Sequence, residues 1–232
     1  MTRKLAAALL CLLAGLALAW ALIDRPEPQV DLPRQVAVAL PASGVDHAVT
    51  AVLLDWRSFD TLLEVMVLLV AVMVALALRE AQPDSPDRMG LENPLLRGVM
   101  SWLLPLMLLV AGYLLWAGAH RPGGAFQAGA VLAAAGVLLR LAGVSLPGFE
   151  RPWLLRAGLA LGGAVFLTAG TLVLLAGRPF LAWPESTAGA LILLVEIALT
   201  ISIGLALLSL FRLTPPYPDD PGMRRAQTGD DR

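Results

Sequence analysis

The sequence predicts an all-α integral membrane protein with six transmembrane helices and with both termini in the cytoplasm. Of its 232 residues, 58% are hydrophobic and only 15% are charged, and the mean hydropathy is +0.74. Soluble domains are typically about 45–50% apolar and about 25% charged, so this composition indicates a membrane protein. Six apolar stretches approach or reach the roughly 17–25 residues that a helix needs to cross a bilayer.

The six predicted spans follow one another along the chain, and the fourth is the shortest. They are residues 5–23, 62–78, 99–117, 126–141, 157–176 and 187–211. The fourth span is expected to start at or inside the glycine-rich loop that precedes it. The first span, with its basic start, also resembles a secretory signal peptide. Its apolar core continues past Ala19 to Ile23, which favours an uncleaved span.

The basic residues predict the orientation of the chain in the membrane. Twelve of the seventeen Lys and Arg residues fall on the side that holds both termini, and the other five fall on the opposite side. Because short cytoplasmic loops carry the excess of positive charge, both termini are predicted to be cytoplasmic. Residues 24–60 are predicted to be the one long outer loop, and the proline-rich stretch within it, from Pro26 to Pro41, is predicted to be an extended spacer.

Composition also divides the chain into four parts. A charged stretch with two prolines interrupts the apolar pattern, and a tail rich in proline and aspartate follows the last span. The predicted parts are a two-helix unit at 1–80, a linker at 81–94, a four-helix unit at 95–213 and a disordered tail at 214–232.

Several classes of function are excluded by composition. A net charge of −1 gives no basic footprint for nucleic acid. The single cysteine, Cys11, excludes a disulfide framework, and two distant histidines give no metal-ligand spacing. The sequence has no Walker A, GxSxG or HExxH motif. We therefore expect neither a cofactor, a metal nor an enzymatic reaction.

An acidic cluster at the start of the second predicted span is the most informative part of the sequence. Ionisable groups at membrane depth are costly, so such a cluster usually has a function. Asp55 and Arg57 are expected to pair at the membrane interface. Asp60 suits either the N-cap of the helix or the entrance of an ion path. Glu64, one turn further on, is predicted either to exchange protons or to bond, as a neutral group, to a neighbouring helix.

This stretch resembles the C-terminal two-helix region of the large A-type polypeptide of Mrp-type multisubunit cation/proton antiporters. It is equally similar to the matching small polypeptide of energy-converting membrane-bound hydrogenases. The shared pattern is an aliphatic run followed by fixed polar and aromatic positions. Its matches here are Asp55, Trp56, Arg57, Asp60, Thr61 and Glu64.

A glycine-rich loop at residues 118–129 follows the third predicted span. Consecutive glycines after a proline permit backbone angles that other residues reach only with strain, so the loop is predicted to turn tightly against a neighbouring helix. It lacks the Lys-Ser/Thr ending of a phosphate-binding loop. The loop resembles the signature of the B-type polypeptide of the same antiporters. The matching residues are Pro122, Gly123, Gly124, Phe126 and Gly129.

Two positions depart from the B-type signature. Ala125 replaces its third glycine, and His120 lies one position nearer the proline. A histidine at an aqueous interface is more often solvated than a proton donor, so His120 is expected to be a solvated residue. Elsewhere the resemblance extends over residues 93–210, including the stretch 177–181 before the last span.

Glu196 is the deepest ionisable residue of the predicted spans. Thr200 lies one turn further along the same face, so the two side chains are expected to exchange a hydrogen bond. Glu196 is either a proton-relay group or a partner in an interhelical hydrogen bond. Such bonds contribute only about 0.6 kcal/mol on average in membranes, which favours the relay. Gly158 and Gly162 form a small-xxx-small face, which predicts close helix packing.

The two resemblances together imply a component of an Mrp-type Na⁺/H⁺ antiporter, similar to the B-type polypeptide with the tail of the A-type polypeptide joined to its front. Such a complex exchanges Na⁺ for protons across a bacterial or archaeal cell membrane, driven by the proton motive force. No lysine lies within a predicted span, whereas the large pumping subunits use intramembrane lysines. The resemblance therefore implies that this chain contacts other subunits and lipid, and lines part of an ion path through Asp60, Glu64 and Glu196.

Two alternatives remain at the level of sequence. The same modules occur in hydrogenases and other redox-driven, complex I-like complexes, and the chain would then belong to their membrane arm. A stand-alone membrane enzyme is less favoured, because the sequence has no nucleophile–base or metal constellation.

Overall fold

The computed structural model describes residues 2–24, 30–80, 94–144 and 151–213, and every regular element in these ranges is helical. The α-helices, numbered in chain order, are α1 (Thr2–Ile23), α2 (Leu32–Ala39), α3 (Ala48–Ala51), α4 (Ser58–Glu80), α5 (Pro94–Ala117), α6 (Ala125–Leu141), α7 (Pro152–Leu175) and α8 (Ala188–Leu213). A 3₁₀ turn at Leu40–Ala42 and a π-helical turn at Val52–Trp56 lie between the first helices.

A long helix covers each predicted span to within one residue, and four of the helices, α1, α4, α5 and α7, begin three to five residues earlier than predicted. Five of them, α1, α4, α5, α7 and α8, are long and apolar enough to cross a membrane. The helix α6 has 17 residues and is shorter than these five. It begins at Ala125, directly after the glycine-rich turn, as the sequence predicts.

The chain divides into two units, residues 1–37 and 38–232. The first unit contains α1 and most of α2, and the side chains of α1 from Lys4 to Ile23 are exposed. Apolar side chains such as Leu13 and Trp20 are 54% and 71% exposed, as suits a helix surrounded by lipid.

The core of the second unit is built around α8, which packs against α4, α6 and α7. Phe166 of α7 is fully buried beside Ile192, Val195 and Leu199 of α8. The side chain of Val65 in α4 belongs to the same cluster. One face of α8 therefore lies in the middle of the helix bundle.

Small residues allow α8 to approach its neighbours closely. A Cβ atom on Gly129 of α6 would lie 3.1 Å from the backbone oxygen of Thr200, and one on Gly204 would lie 3.3 Å from the oxygen of Gly129. A Cβ on Gly162 of α7 would lie 2.9 Å from side-chain atoms of Leu199 and Ser202. The packing role predicted for Gly162 is thus confirmed, and the contact is with α8.

The proline-rich outer segment differs from its prediction. Residues 32–42 form a helix and a 3₁₀ turn rather than an extended spacer. Pro33 and Pro41 lie in the first turn of these elements, where the missing N–H of proline breaks no helical hydrogen bond. Residues 25–29, the linker at 81–93 and the tail at 214–232 lie outside the described residues.

We expect Gly162→Ala to destabilise the second unit, because its new methyl group has no space between α7 and α8. Overpacking of this kind costs about 1–3 kcal/mol. The matched control is Gly112→Ala in α5, where an added Cβ meets no atom within 4 Å. Thermal unfolding of the purified chain in detergent measures both. Equal melting temperatures for the two variants would contradict the packing described for α7 and α8.

Candidate functional site

A cavity of about 460 Å³ lies in the second unit, where the outer segment, the glycine-rich loop and α8 meet. Its wall is mostly apolar, and polar side chains from four different segments are set into it. The lining residues are His47, Val49, Thr50, Leu53, Leu54, Thr61, Glu64, Pro122, Gly123, Gly124, Ala125, Phe126, Gln127, Glu196 and Leu199. Two of the three carboxylates predicted for an ion path, Glu64 and Glu196, therefore line one cavity.

Glu196 lies in the middle of α8, and only 3% of its surface is exposed. Its carboxylate accepts a hydrogen bond from the backbone N–H of Ala125, at the start of α6. The first N–H groups of a helix have no partner within the helix, and its N-terminus carries partial positive charge. A carboxylate from another helix thus supplies the cap that the N-terminus of α6 needs.

The hydrogen bond predicted between the side chains of Glu196 and Thr200 takes a different form. The hydroxyl of Thr200 donates to the backbone oxygen of Glu196 at 2.7 Å, not to its carboxylate. The hydroxyl of a threonine in a helix commonly donates to the backbone carbonyl one turn earlier. The carboxylate of Glu196 therefore remains available to accept the N–H of Ala125 at the start of α6.

The glycine-rich loop folds back onto the end of α5. The backbone oxygen of Leu114 accepts hydrogen bonds from Gly118 N–H at 3.2 Å and from Gly124 N–H at 2.8 Å. A Cβ on Gly123 would overlap that same oxygen, so Gly123 must be a glycine for the loop to close. The tight turn predicted from the sequence is present, and it packs against the end of α5, the helix that precedes it in the chain.

Gly124 and Gly118 bring the backbone of this loop against Glu196. Gly124 has φ +108°, a backbone conformation that favours glycine, and a Cβ there would lie 2.7 Å from Glu196 Oε1. A Cβ on Gly118 would lie 3.3 Å from the same oxygen. The carboxylate therefore rests on a surface made of glycine backbone.

The remaining members of the loop motif line the cavity or position α6. Pro122 and Phe126 line the cavity, and Phe126 also packs against the main core cluster. Gly129 lies one turn into α6, at its close contact with Ile203 and Thr200 of α8. The motif residues together position the first turn of α6 beside Glu196.

Glu64, six residues after the start of α4, is exposed and also lines the cavity. Asp60 is not at the N-cap of this helix, because α4 begins two residues earlier at Ser58. It forms an exposed ion pair with Arg57, which was expected to pair with Asp55 instead. Asp55 is partly buried, and this burial raises the pKa of its carboxyl above the usual range.

The wall that carries Glu64 is held by side chains that satisfy the π-helical turn. The hydroxyl of Ser58 donates to the backbone oxygens of Leu54 and Asp55, both at 2.7 Å. Thr61 donates to the oxygen of Leu53 at 2.6 Å, and the indole N–H of Trp183 donates to the oxygen of Leu54 at 2.5 Å. These bonds give side-chain partners to the backbone oxygens of the π-helical turn and join the turn to α4 and to Trp183.

Residues 46–50 join this wall to the glycine-rich loop. The backbone N–H groups of Asp46 and His47 both donate to the oxygen of Ala119, at 2.9 and 3.0 Å. The hydroxyl of Thr50 donates to the oxygen of Gly118 at 2.5 Å. His120 is exposed, as predicted, and its Nδ1 lies 2.8 Å from a carboxylate oxygen of Asp46.

Sequence reasoning missed His47 and Thr50 as members of the site. Nδ1 of His47 lies 3.2 Å from the hydroxyl oxygen of Thr50. Because the single hydroxyl proton of Thr50 goes to Gly118, the N–H at Nδ1 of His47 is the donor in this bond. No local sequence pattern identifies these residues as part of the site, because Thr50 binds the glycine-rich loop, which lies far along the chain.

The polar part of the cavity wall consists mainly of side-chain oxygen atoms. Two carboxylates, two threonine hydroxyls and the amide of Gln127 line it, and such hard oxygen ligands suit Na⁺-like ions. Among the described residues, no group of three or more His, Cys, Asp or Glu side chains is placed to bind a metal ion tightly.

Family models match nearly the whole chain in two pieces. Residues 95–213, just over half of the chain, match the domain related to the MnhB subunit of Na⁺/H⁺ antiporters. The chain belongs to this MnhB-related family. Residues 2–92 match MbhE, a component of membrane-bound hydrogenase. These matches confirm both resemblances drawn from the acidic cluster and the glycine-rich loop, and the cavity of this MnhB-related chain is lined by residues of both matched segments.

Two relatives match parts of this MnhB-related chain, and one of them is described as an antiporter polypeptide. A probable K⁺/H⁺ antiporter polypeptide of the combined A/B type from Rhizobium meliloti is 26% identical over 61% of this chain, and the match covers 17% of that protein. An uncharacterised protein of Methanocaldococcus jannaschii is 34% identical over 40% of this chain and 43% of its own length. The chain thus spans less than half of the length of either relative.

Two solved structures have the same fold. The Mrp complex from Dietzia sp. DQ12-45-1b includes a chain that superposes with a TM-score of 0.72 and 24% identity, over 95% of this chain and 27% of that one. A chain of the membrane-bound sulfane sulfur reductase, an archaeal respiratory membrane complex, gives a TM-score of 0.72 and 24% identity over 92% of this chain and 98% of that one.

We expect water to reach the cavity wall, and cysteine labelling measures this in a Cys11→Ser background. Leu53→Cys lines the cavity and is 42% exposed at the parent residue, so it should react with a charged thiol reagent. The matched control, Val65→Cys, replaces a side chain that is only 3% exposed and should react at least about tenfold more slowly. Equal labelling rates would mean that the cavity excludes water.

Proposed function

We propose that this chain is a subunit of an Mrp-type cation/proton antiporter complex and lines part of its ion path. The observation that carries this proposal is the cavity that Glu64 and Glu196 both line. Membership of the MnhB-related family indicates the type of complex, because the matching model describes a domain related to a subunit of Na⁺/H⁺ antiporters. In this role the chain catalyses no covalent reaction and needs no cofactor of its own.

In the proposed path, Asp60 is the entrance carboxylate and Glu64 and Glu196 are the inner groups. Asp60 is exposed beside Arg57, so an ion can reach its carboxylate from solvent before it enters the cavity. Glu64 is exposed to the cavity, whereas Glu196 is buried and held by the start of α6. An ion that leaves solvent thus passes from an open carboxylate to a fixed and desolvated one.

We propose that the other subunits of the complex and lipid cover the exposed apolar surface of α5. Trp102 is 85% exposed, and Leu109 and Trp116 are 68% and 62% exposed. The large pumping subunits of this superfamily use intramembrane lysines, whereas the one lysine of this chain, Lys4, lies in the first turn of α1. The chain is therefore proposed as a scaffold that lines the path rather than as the pump itself.

The proposed topology has six spans and places both termini in the cytoplasm of a bacterial or archaeal cell. The helix α6 is the fourth of these spans, and its 17 residues reach the lower limit of the roughly 17–25 residues that cross a bilayer. The front unit, residues 1–80, corresponds to the tail of the A-type polypeptide, and residues 95–213 correspond to the B-type polypeptide. The residues between them are proposed as a linker and those after them as a cytoplasmic tail.

A second candidate is a place in the membrane arm of a redox-driven complex. The match of residues 2–92 to a hydrogenase component favours it, as does the likeness to a chain of an archaeal respiratory complex over 98% of that chain. The genes beside this one discriminate between the two, because a redox complex needs subunits that bind metal clusters.

Glutamine at the two inner positions tests the path. Glutamine keeps the shape of glutamate and still accepts the N–H of Ala125, but it cannot release a proton or balance a cation. We expect Glu64→Gln and Glu196→Gln each to lower cation-induced collapse of the pH gradient in everted vesicles at least about tenfold. Vesicles carrying the complete complex are assayed with Na⁺ and with K⁺.

The matched control is Glu185→Gln, which changes an exposed glutamate in the loop before α8, away from the cavity. It should leave transport unchanged. Asp60→Asn should cause a smaller loss, because its exposed charge is screened by salt. If both inner variants assemble and transport at the parent rate, the path does not run through this cavity.

Fusion proteins test the proposed topology. Alkaline phosphatase inserted after Glu185, in the loop between α7 and α8, should be active because that loop is proposed to face outward. The same enzyme fused after Leu213 should be inactive, because the tail is proposed to be cytoplasmic. An active fusion after Leu213 would require an odd number of spans or the opposite orientation.

A further inference from the structure

The contact between the glycine-rich loop and Glu196 has a feature that the turn alone does not require. Gly123 is explained by the loop, since its missing Cβ makes room for the backbone oxygen of Leu114. Gly124 is favoured by the turn through its φ of +108°, but the atom that its missing Cβ would approach most closely lies outside the loop and is Glu196 Oε1, at 2.7 Å. Adjacent glycines thus avoid clashes with two different partners, one within the loop and one across the bundle.

We propose that Gly124 is a positioning residue for Glu196, whose carboxylate is held in the cavity between the backbone of Gly124 and the N–H of Ala125. This inference rests on the function proposed above and deepens it by assigning a role to a residue that carries no side chain. The loop motif is then a device for placing a carboxylate.

Three features of the geometry support this role. The residue after Gly124, Ala125, donates its N–H to the carboxylate, so the contact and the hydrogen bond come from consecutive backbone units. Gly118 approaches the same oxygen from the other end of the loop, and a Cβ there would lie 3.3 Å away. Gly124 N–H is itself bonded to Leu114, so the loop cannot move aside freely.

An added methyl group at residue 124 would push the carboxylate away from Ala125 N–H. Real Cβ atoms do not approach a carboxylate oxygen at 2.7 Å, so either the side chain of Glu196 or the loop must shift. Because groups that bind or exchange ions act only within a narrow range of positions, a small displacement is enough to weaken them. The expected defect is therefore in affinity for the cation as well as in stability.

The experiment is a cycle of variants measured in the complete complex. Gly124→Ala adds the methyl group, and Glu196→Asp shortens the side chain by one methylene and withdraws the carboxylate from it. The readouts are the cation concentration for half-maximal antiport in everted vesicles and the amount of assembled complex. Gly177→Ala is the control for backbone strain, since Gly177 has φ +82° and no atom within 4 Å of its missing Cβ.

We expect Gly124→Ala to raise the half-maximal concentration at least about fivefold and Gly177→Ala to change it by less than about twofold. Glu196→Asp should change the half-maximal concentration in opposite directions in the parent and in the Gly124→Ala chain. It should weaken the parent, where it withdraws the carboxylate from Ala125 N–H, and improve the Gly124→Ala chain, where it relieves the clash. If Gly124→Ala fails to assemble, Glu196→Asp should restore assembly.

The proposal is overturned if Gly124→Ala behaves like Gly177→Ala, or if Glu196→Asp has the same effect in both backgrounds. It is also overturned if neither the Gly124→Ala chain nor its Glu196→Asp combination assembles. Failure of the proposed function is recognised separately with Glu196→Gln. Parent-like transport by that variant removes Glu196 from the ion path, and the positioning role then falls with it.

Discussion

The hydrogen bond from the N–H of Ala125 to the carboxylate of Glu196 is the constraint on which the rest of the site depends. A buried carboxylate in a membrane helix needs a donor, and the first turn of α6 needs an acceptor. Satisfying both brings the glycine-rich loop against α8, which only glycine backbone permits at Gly118 and Gly124. The cavity is the space left between this contact and the wall that carries Glu64.

That wall comes from the part of the chain that resembles a different protein. His47, Thr50, Thr61 and Glu64 lie in the segment that matches the hydrogenase component, whereas Glu196 and the loop lie in the MnhB-related segment. The indole of Trp183 joins the two by its hydrogen bond to Leu54. Because the two matched segments lie in one chain, the two sides of the cavity are always present in equal numbers.

The sequence predicts the long helices well, because apolar length alone indicates a membrane span and charged or glycine-rich stretches mark its ends. It also identifies Glu64, Glu196 and the loop, but as separate features. Their meeting depends on how closely α6 and α8 cross at Gly129 and Gly204, which no local pattern records. The start of α4 and the helix at 32–39 were predicted wrongly, because side-chain hydrogen bonds at Ser58 and Thr61 and the tolerance of a first helical turn for proline decide them.

The central claim is that antiport requires this chain. The most direct measurement is cation-induced collapse of the pH gradient in everted vesicles that carry the complete set of subunits, with and without the gene for this chain. The account predicts that Na⁺- or K⁺-induced collapse is lost without the gene and restored when the gene is supplied on a plasmid. Unchanged collapse in its absence would contradict the account and favour a role in a redox-driven complex.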